Sequence, residues 1–576
     1  MISKKQKNTL VAIILLMATN ACFAQNPLLI PDTLSGTTFN LSVQQGTSVF
    51  FDGHNTPTYG YNGNFLGPTL FINKQDSITL NVTNHLPVAT TVHWHGFHVA
   101  PFNDGGPHQI IAPGATWSPS FKMRNNASTY WYHPHGEGKT EIQVSKGLAG
   151  LIIVRDSLEA SYTLPRKYGI DDFPIILSTR SFDVLYQIAT ATHSDSVMMV
   201  NGTLNPYLTV PKQVVRLRLL NGSADRTYNL GLSDNSPFYL IATDGGMLSQ
   251  PFATTRLRMS PGERAEILIN FDAYDIDQQI YLKSYASELQ KGIIGADSVG
   301  TSTLIIGEEY YTNLLNGTDF DILRFDVTTS TANPVTTIPT AFAPLIPMDT
   351  LGVNTHRHLH FSPDTLLFGA QAYVDGPFFI NNEAFNINNT NIITHINDKE
   401  IWTLTNTTLV AHPFHIHDIQ FFVLDINGNP PPPQYSGLKD VILVKPQDTV
   451  RFITKFETFA DETMPYMYHC HLLHHEDEGM MGSFLVKPNA IGINQLPQNN
   501  GIKVYPNPLN AQQTLTIQSE NNINNIAIFD VLGRQISTQK TSGKQITLVM
   551  PTDKGVYMLQ IKTDQTTLSQ KIVVAY

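Results

Sequence analysis

Four histidine pairs constrain this chain more than any other feature of it. They are His93-Trp94-His95, His133-Pro134-His135, His415-Ile416-His417 and His469-Cys470-His471. Each reads H-x-H, and side chains two apart on a strand point to the same face. Each pair therefore offers two imidazoles to one place. Two pairs lie early in the chain and two lie late. A fold that uses all four must bring distant segments together, and a multinuclear metal site between two abutting domains would do so. Imidazole suits copper, zinc, iron and nickel, so the histidines alone do not choose the metal.

The rest of the chain favours strands as the carrier. Short β-like runs bounded by Gly, Pro, Asn and Asp recur, for example 77–82, 214–220, 264–269 and 450–456. No long stretch keeps a helical period. With 38 Gly, 35 Pro and only 14% charged residues in 576, the expected class is all-β, built from β-sandwiches in series. A net charge of −11 with no basic block argues against nucleic acid as a partner.

Cysteine usage is telling. The N-terminus has Lys4, Lys5 and Lys7, then an apolar run over 10–18, then Cys22-Phe23-Ala24. That is the layout of a secretory signal, expected over 1–24, with an apolar run too short to span a bilayer. No other stretch reads as transmembrane. Cys22 leaves with the signal, so the mature chain keeps one thiol, Cys470. Secreted proteins usually pair their cysteines, so a lone one needs another role. Buried small hydrophobe is the bland one.

Its neighbours point elsewhere. Strand alternation sends Cys470 to the face opposite His469 and His471, where it can bind a different metal from theirs. A trigonal His/His/Cys set with a weak axial Met marks a blue-copper electron-transfer site. His475 and Met480 follow within ten residues, and His412 opens the run His412-Pro413-Phe414-His415-Ile416-His417. An isolated H-x-H pair is more often coincidence than a ligand pair; four pairs with His-Cys-His and a downstream His and Met are not. His356, His358 and His360 also alternate but have no Cys or partner cluster nearby, and the expectation for them is a polar strand face. His98, His108 and His474 lie close to candidate ligands and are expected beside the site or exposed.

From about 62 to 486 the chain resembles the three-domain multicopper oxidases: laccases, bilirubin oxidases and bacterial cuproxidases. The resemblance rests on the four clusters and on Leu66-Gly67-Pro68-Thr69, Arg216-Leu217-Arg218-Leu219-Leu220-Asn221, Ser260-Pro261-Gly262-Glu263-Arg264 and Glu476-Asp477-Glu478-Gly479-Met480-Met481. It implies three cupredoxin-like Greek-key sandwiches: 25–160, 161–327 without copper ligands, and 328–488. It also implies four copper ions. His412, Cys470, His475 and axial Met480 match the type 1 site. His93 and His415 match type 2. His95, His133, His135, His417, His469 and His471 match the type 3 pair. Asp104 and Glu476 match proton-delivery positions, and carboxylates there suit a reaction that consumes protons. Asp104 in Asp104-Gly105-Gly106-Pro107 would otherwise be a turn former.

An Asn- and Gln-rich stretch, 489–500, reads as a linker. After it, 501–576 holds no His or Cys and resembles the C-terminal sorting domain of the type IX secretion system. That resemblance rests on Val504-Tyr505-Pro506-Asn507-Pro508, Asp530-Val531-Leu532-Gly533-Arg534, Gly555-Val556-Tyr557 and Lys571-Ile572-Val573-Val574. It implies export through the periplasm to the medium or the cell surface, by the type IX machinery. The expected activity is laccase-like oxidation of a phenol or aromatic amine coupled to reduction of O2 to water. The rival is a metal-ion oxidase acting on Cu(I), Mn(II) or Fe(II). No Met-rich insertion lies between Asn333 and Val410, which tilts away from Cu(I). A copper-free scaffold would have lost ligands, and none is missing.

Overall fold

The structure is a computed structural model, and it describes residues 25–190, 195–299, 313–365, 376–488, 501–565 and 567–575. The expected signal, 1–24, and linker, 489–500, lie outside the described residues. Nearly all regular structure is strand, as the turn-rich composition predicts. The chain divides into two compact units, Met1–Pro488 and Asn489–Tyr576.

The first unit contains three sandwiches, each a pair of sheets closed over its own apolar core. In the first, one sheet runs Thr33–Ser35, Thr69–Asn73, Gly150–Arg155, Ser128–His133, His93–His95. In the third, one sheet runs Ile392–His395, Met481–Lys487, Tyr466–Cys470, His412–Ile416, Val441–Val444. These two sheets carry all four histidine pairs. Register does the positioning: His133 sits opposite His93, and Trp131 opposite His95. Likewise His415 sits opposite His469, and Phe414 opposite Cys470.

The middle sandwich is centred on Val214–Asn221, a strand buried along its whole length. It takes Asp172–Phe182 as a parallel neighbour and Arg264–Asn270 as an antiparallel one. Its Arg216 and Arg218 are buried, a costly placement unless the charge is met. Glu266, Glu159 and Asp172 meet it, with Arg216 bound to Glu159 at 2.6 Å and Arg218 to Asp172 at 2.7 Å.

The sandwiches are not three consecutive cuts of the chain. Asn26–Pro27 pairs with Pro206–Tyr207 and so joins a sheet of the middle sandwich. Past Thr328, Val335, Ile338 and Phe342 lie on the same sandwich against Val214, Ile241 and Leu268.

The second unit is a small two-sheet sandwich. Leu515, Ile517, Ile526, Leu559, Ile561 and Ile572 fill its core. Its strands include Ile523–Phe529, Gln545–Val549 and Gly555–Thr563.

Candidate metal centre

Where the histidine-bearing sheets of the first and third sandwiches meet, eight buried imidazoles gather. His95 stacks on His415 with ring centres 3.7 Å apart, and His93 stacks on His417 at 3.9 Å. Ring nitrogens fall into three-residue groups within 4.8 Å: His93, His415 and His417; His95, His133 and His471; His135, His417 and His469. Among the described residues, these groups draw on the first and third sandwiches.

For several of the rings the polar surroundings fix which nitrogen faces inward. His417 Nδ1 lies 2.7 Å from Asp104 Oδ2, His93 Nδ1 2.9 Å from the Asp104 carbonyl, and His415 Nδ1 2.8 Å from the Asp440 carbonyl. His469 Nδ1 lies 3.0 Å from the Cys470 carbonyl. An imidazole that donates one N–H to such an acceptor presents the lone pair of its other nitrogen, the arrangement of metal-bound histidines. His93 Nε2 and His415 Nε2 are buried with no hydrogen-bond partner.

One group can be tested against a metal. The Nε2 atoms of His135, His417 and His469 are 3.0, 3.2 and 3.4 Å apart. Three lone pairs at that separation repel unless a cation stands among them. Bonds of about 2.0 Å to an ion put such nitrogens about 3.3–3.5 Å apart in tetrahedral or trigonal geometry, so the residues fit. Burial depresses the imidazole pKa of His93, His95, His133, His135, His415, His417 and His471 well below the usual value, which keeps these rings neutral and ready to ligate.

On the other face of the strand Tyr466–Cys470, Cys470 points into the core of the third sandwich. Its Sγ lies 3.5 Å from His412 Nδ1 and 3.6 Å from His475 Nδ1. Bond lengths of about 2.3 Å to sulfur and 2.0 Å to nitrogen give about 3.7 Å for a trigonal ion. The Cys470 N–H donates to the Met480 carbonyl at 3.0 Å, and both side chains belong to one apolar core with Phe378 and Phe414. The Phe378 ring packs 4.8 Å from His412 and 4.6 Å from His475. Burial pushes the Cys470 thiol pKa well up and the His412 pKa down to about 3.

Both expected carboxylates touch the cluster. Asp104 holds His417, and burial raises its pKa to about 6. Gly105 makes that approach possible: its φ is +83°, and a Cβ there would meet the Val92 carbonyl oxygen at 1.7 Å. Glu476 stands between His135 Nδ1 at 3.3 Å and His469 Nδ1 at 3.1 Å.

Several further residues contact the cluster or its carboxylates, and the sequence assigned none of them a role. Asp440 Oδ1 lies 3.2 Å from His95 Nε2, and Arg264 grips both Asp440 oxygens at 2.6 Å. Lys439 binds Asp244 at 2.9 Å and Glu263 at 2.7 Å, extending this buried ion network into the middle sandwich. Arg264 stood in the Ser260-Pro261-Gly262-Glu263-Arg264 motif without a role. Gly262 in that motif, φ +84°, lies so close to the His471 ring that a Cβ would meet Cδ2 at 2.8 Å. Thr140 opens the short helix Thr140–Ser145 and donates its hydroxyl to Glu476 at 2.7 Å. The Asp477 carboxylate accepts the N–H groups of Thr140 and Glu141, each at 2.9 Å. Of the flanking histidines, His98 meets buried Asp418 at 2.9 Å and His474 meets Asp225 at 2.8 Å.

Comparison with known proteins agrees with this arrangement. Multicopper oxidase family profiles match 42–159, 182–309 and 353–490, and a secretion system C-terminal sorting domain profile matches 503–575. The multicopper oxidase mco of Staphylococcus haemolyticus is 33% identical over 467 residues, covering 78% of this chain and 88% of that protein. The cell division protein FtsP of Dickeya dadantii is 30% identical over 481 residues, covering 80% and 93%. Among solved structures, the laccase-like multi-copper oxidase CueO of Ochrobactrum sp. is 32% identical with a TM-score of 0.70, covering 80% of this chain and all of that one. This protein belongs to the multicopper oxidase family, whose cupredoxin fold and four-copper complement its histidine centre suits, and it is a copper-dependent oxidoreductase with O2 as acceptor.

Proposed function

We propose that the protein takes single electrons from a phenolic or aromatic-amine reductant at the Cys470 site and delivers four of them to the histidine cluster, where O2 becomes water. The observation that carries this reading is the strand Tyr466–Cys470 and the residue after it. Cys470 lies beside His412 and His475, while its backbone neighbours His469 and His471 belong to two of the three-histidine groups. The two sites are thus joined by covalent bonds.

In this reading His412, Cys470, His475 and Met480 would hold the type 1 copper. His93 and His415 hold type 2. His95, His133 and His471, with His135, His417 and His469, hold the type 3 pair. Copper supplies the reversible one-electron chemistry and the affinity for O2. The residues around it orient imidazoles and hold protons. Asp104 and Glu476 each contact rings of the cluster, and the raised pKa of Asp104 suits a proton carrier near neutrality.

The aromatic reductant is favoured by the absence of a Met-rich insertion and by likeness to the Ochrobactrum enzyme, described as active toward lignin model compounds. A metal-ion reductant is the second reading, favoured by the exposed His356 and His358 on the sandwich that holds Cys470. A cell-division role like that named for FtsP would not need the complete ligand set.

The sorting-domain match implies export to the medium or the cell surface. We infer passage through the periplasm and recognition by the type IX machinery.

Replacing Cys470 with Ser tests the scheme. The variant should lose the blue absorption band and phenol oxidation together and keep its fold. Phenol oxidation at the normal rate without Cys470 would show that electrons enter elsewhere.

A further inference from the structure

One histidine motif is used by neither redox site. His356, His358 and His360 lie on the strand Thr355–Pro363 of the third sandwich. His356 and His358 are exposed, and His360 is half-buried. The alternate residues Leu359 and Phe361 face the core, so the three imidazoles share the outer face. Along Thr355–His360 the strand has a sheet neighbour on one side, Lys399–Asn406; the other neighbour, Phe378–Ile380, pairs with Phe361–Pro363. Among the described residues, His356 and His358 therefore stand on an edge open to solvent. Residues two apart on a strand are about 6.6 Å apart, a spacing from which two imidazoles reach one ion.

The row ends beside the Cys470 site. His360 Nε2 lies 2.9 Å from the Thr407 hydroxyl, and the hydroxyl of the next residue, Thr408, lies 2.8 Å from His412 Nε2. On the core side, the ring of Phe361 lies 5.8 Å from that of His412. A polar strand face needs neither three imidazoles in register nor a hydrogen-bonded link to a buried histidine next to Cys470.

We propose that His356 and His358 form a surface site for a first-row transition-metal ion, joined to the Cys470 site through His360, Thr407, Thr408 and His412. Imidazole pairs take copper, nickel and zinc. Binding stands on the row alone; the electron route rests on the oxidase reading above. A Cu(I) ion seated there is oxidised to Cu(II) and leaves, its electron entering at His412. Four such ions and four protons reduce one O2 to two waters. The aromatic reductant needs no such seat, so the two substrate classes part at these residues.

Ni(II) separates binding from turnover, because it ligates imidazole without giving up an electron here. The copper-loaded full-length protein is titrated with Ni(II) by calorimetry, wild type against His356→Ala/His358→Ala. The wild type should show a site that the double variant weakens by about tenfold or more. His358→Gln, which keeps a polar exposed side chain, should weaken it as well. Equal Ni(II) affinity in all three overturns the site. With Cu(I) as reductant under O2, the double variant should raise KM by about tenfold at unchanged kcat, with phenolic-dye oxidation unaltered. An unaltered KM for Cu(I) overturns the electron route. Wild-type protein that is fully copper-loaded and oxidises neither reductant would instead sink the oxidase reading, with the Ni(II) result still deciding the site.

Discussion

The two redox sites share one strand yet are built in opposite ways. The Cys470 site is assembled within a single sandwich: His412, Cys470 and His475 all belong to the third, around one apolar core. The histidine cluster is assembled at a seam. Half its imidazoles come from the first sandwich and half from the third, and buried groups on the middle sandwich reach it through Arg264 and Gly262. A site inside one core is held by the packing that folds the domain. A site at a seam needs the domains docked, and charged networks do much of that positioning. The cluster should therefore be the more fragile of the two.

Removing copper should expose the difference most strongly. The metal-free protein keeps seven strongly depressed imidazoles at the seam and one, His412 with a pKa of about 3, at the Cys470 site. Their folded pKa values lie below the unfolded value of about 6.5. The unfolded chain therefore binds more protons, and stability that is complete above about pH 6.5 is lost as the pH falls toward the folded values. Thermal melts across this range should show the metal-free protein failing on acidification while the copper-loaded form resists. Identical pH profiles would mean that the imidazoles are not held for metal.

Arg264→Leu comes next. Removing one partner of a buried ion pair costs about 3–5 kcal/mol, here by leaving the Asp440 carboxylate unpaired beside His95. Copper analysis should show loss from the cluster with the blue band retained. Equal loss from both sites would show that the two are held alike.

Glu476→Gln is a smaller change in structure. It should slow reoxidation by O2 by about 10²-fold and leave anaerobic bleaching of the blue band at its normal rate, as stopped-flow would show. Thr140→Val should give the mildest effect. Loss of a hydrogen bond to a charged group costs about 1.5–3 kcal/mol, so the O2 step should slow by about tenfold, with Thr140→Ser restoring it. If Thr140→Val instead slowed the bleaching, the helix Thr140–Ser145 would be acting on the Cys470 site.

Much of this was legible in the residues. The pairing of His93 with His95, and the turning of Cys470 away from His469, follow from the period of two in a strand. The separate C-terminal unit was legible from its composition and its linker. The N-terminal boundary was not, because Asn26–Pro27 pairs with a strand far along the chain, and no local pattern records that. Asp440 was invisible for a similar reason. Nothing near it in sequence marks it, and its meaning comes from Arg264 across a domain contact.

By itself the sequence determined which residues are candidate ligands, their grouping and the face each would occupy, because side-chain alternation is a local property of the backbone. Tertiary structure alone decided which groups would meet. It set His95 on His415, hung Glu476 from Thr140, and placed the row His356, His358 and His360 within two hydroxyls of His412. Such contacts join segments far apart in the chain, and docking of whole sheets fixes them, which no short stretch of residues encodes.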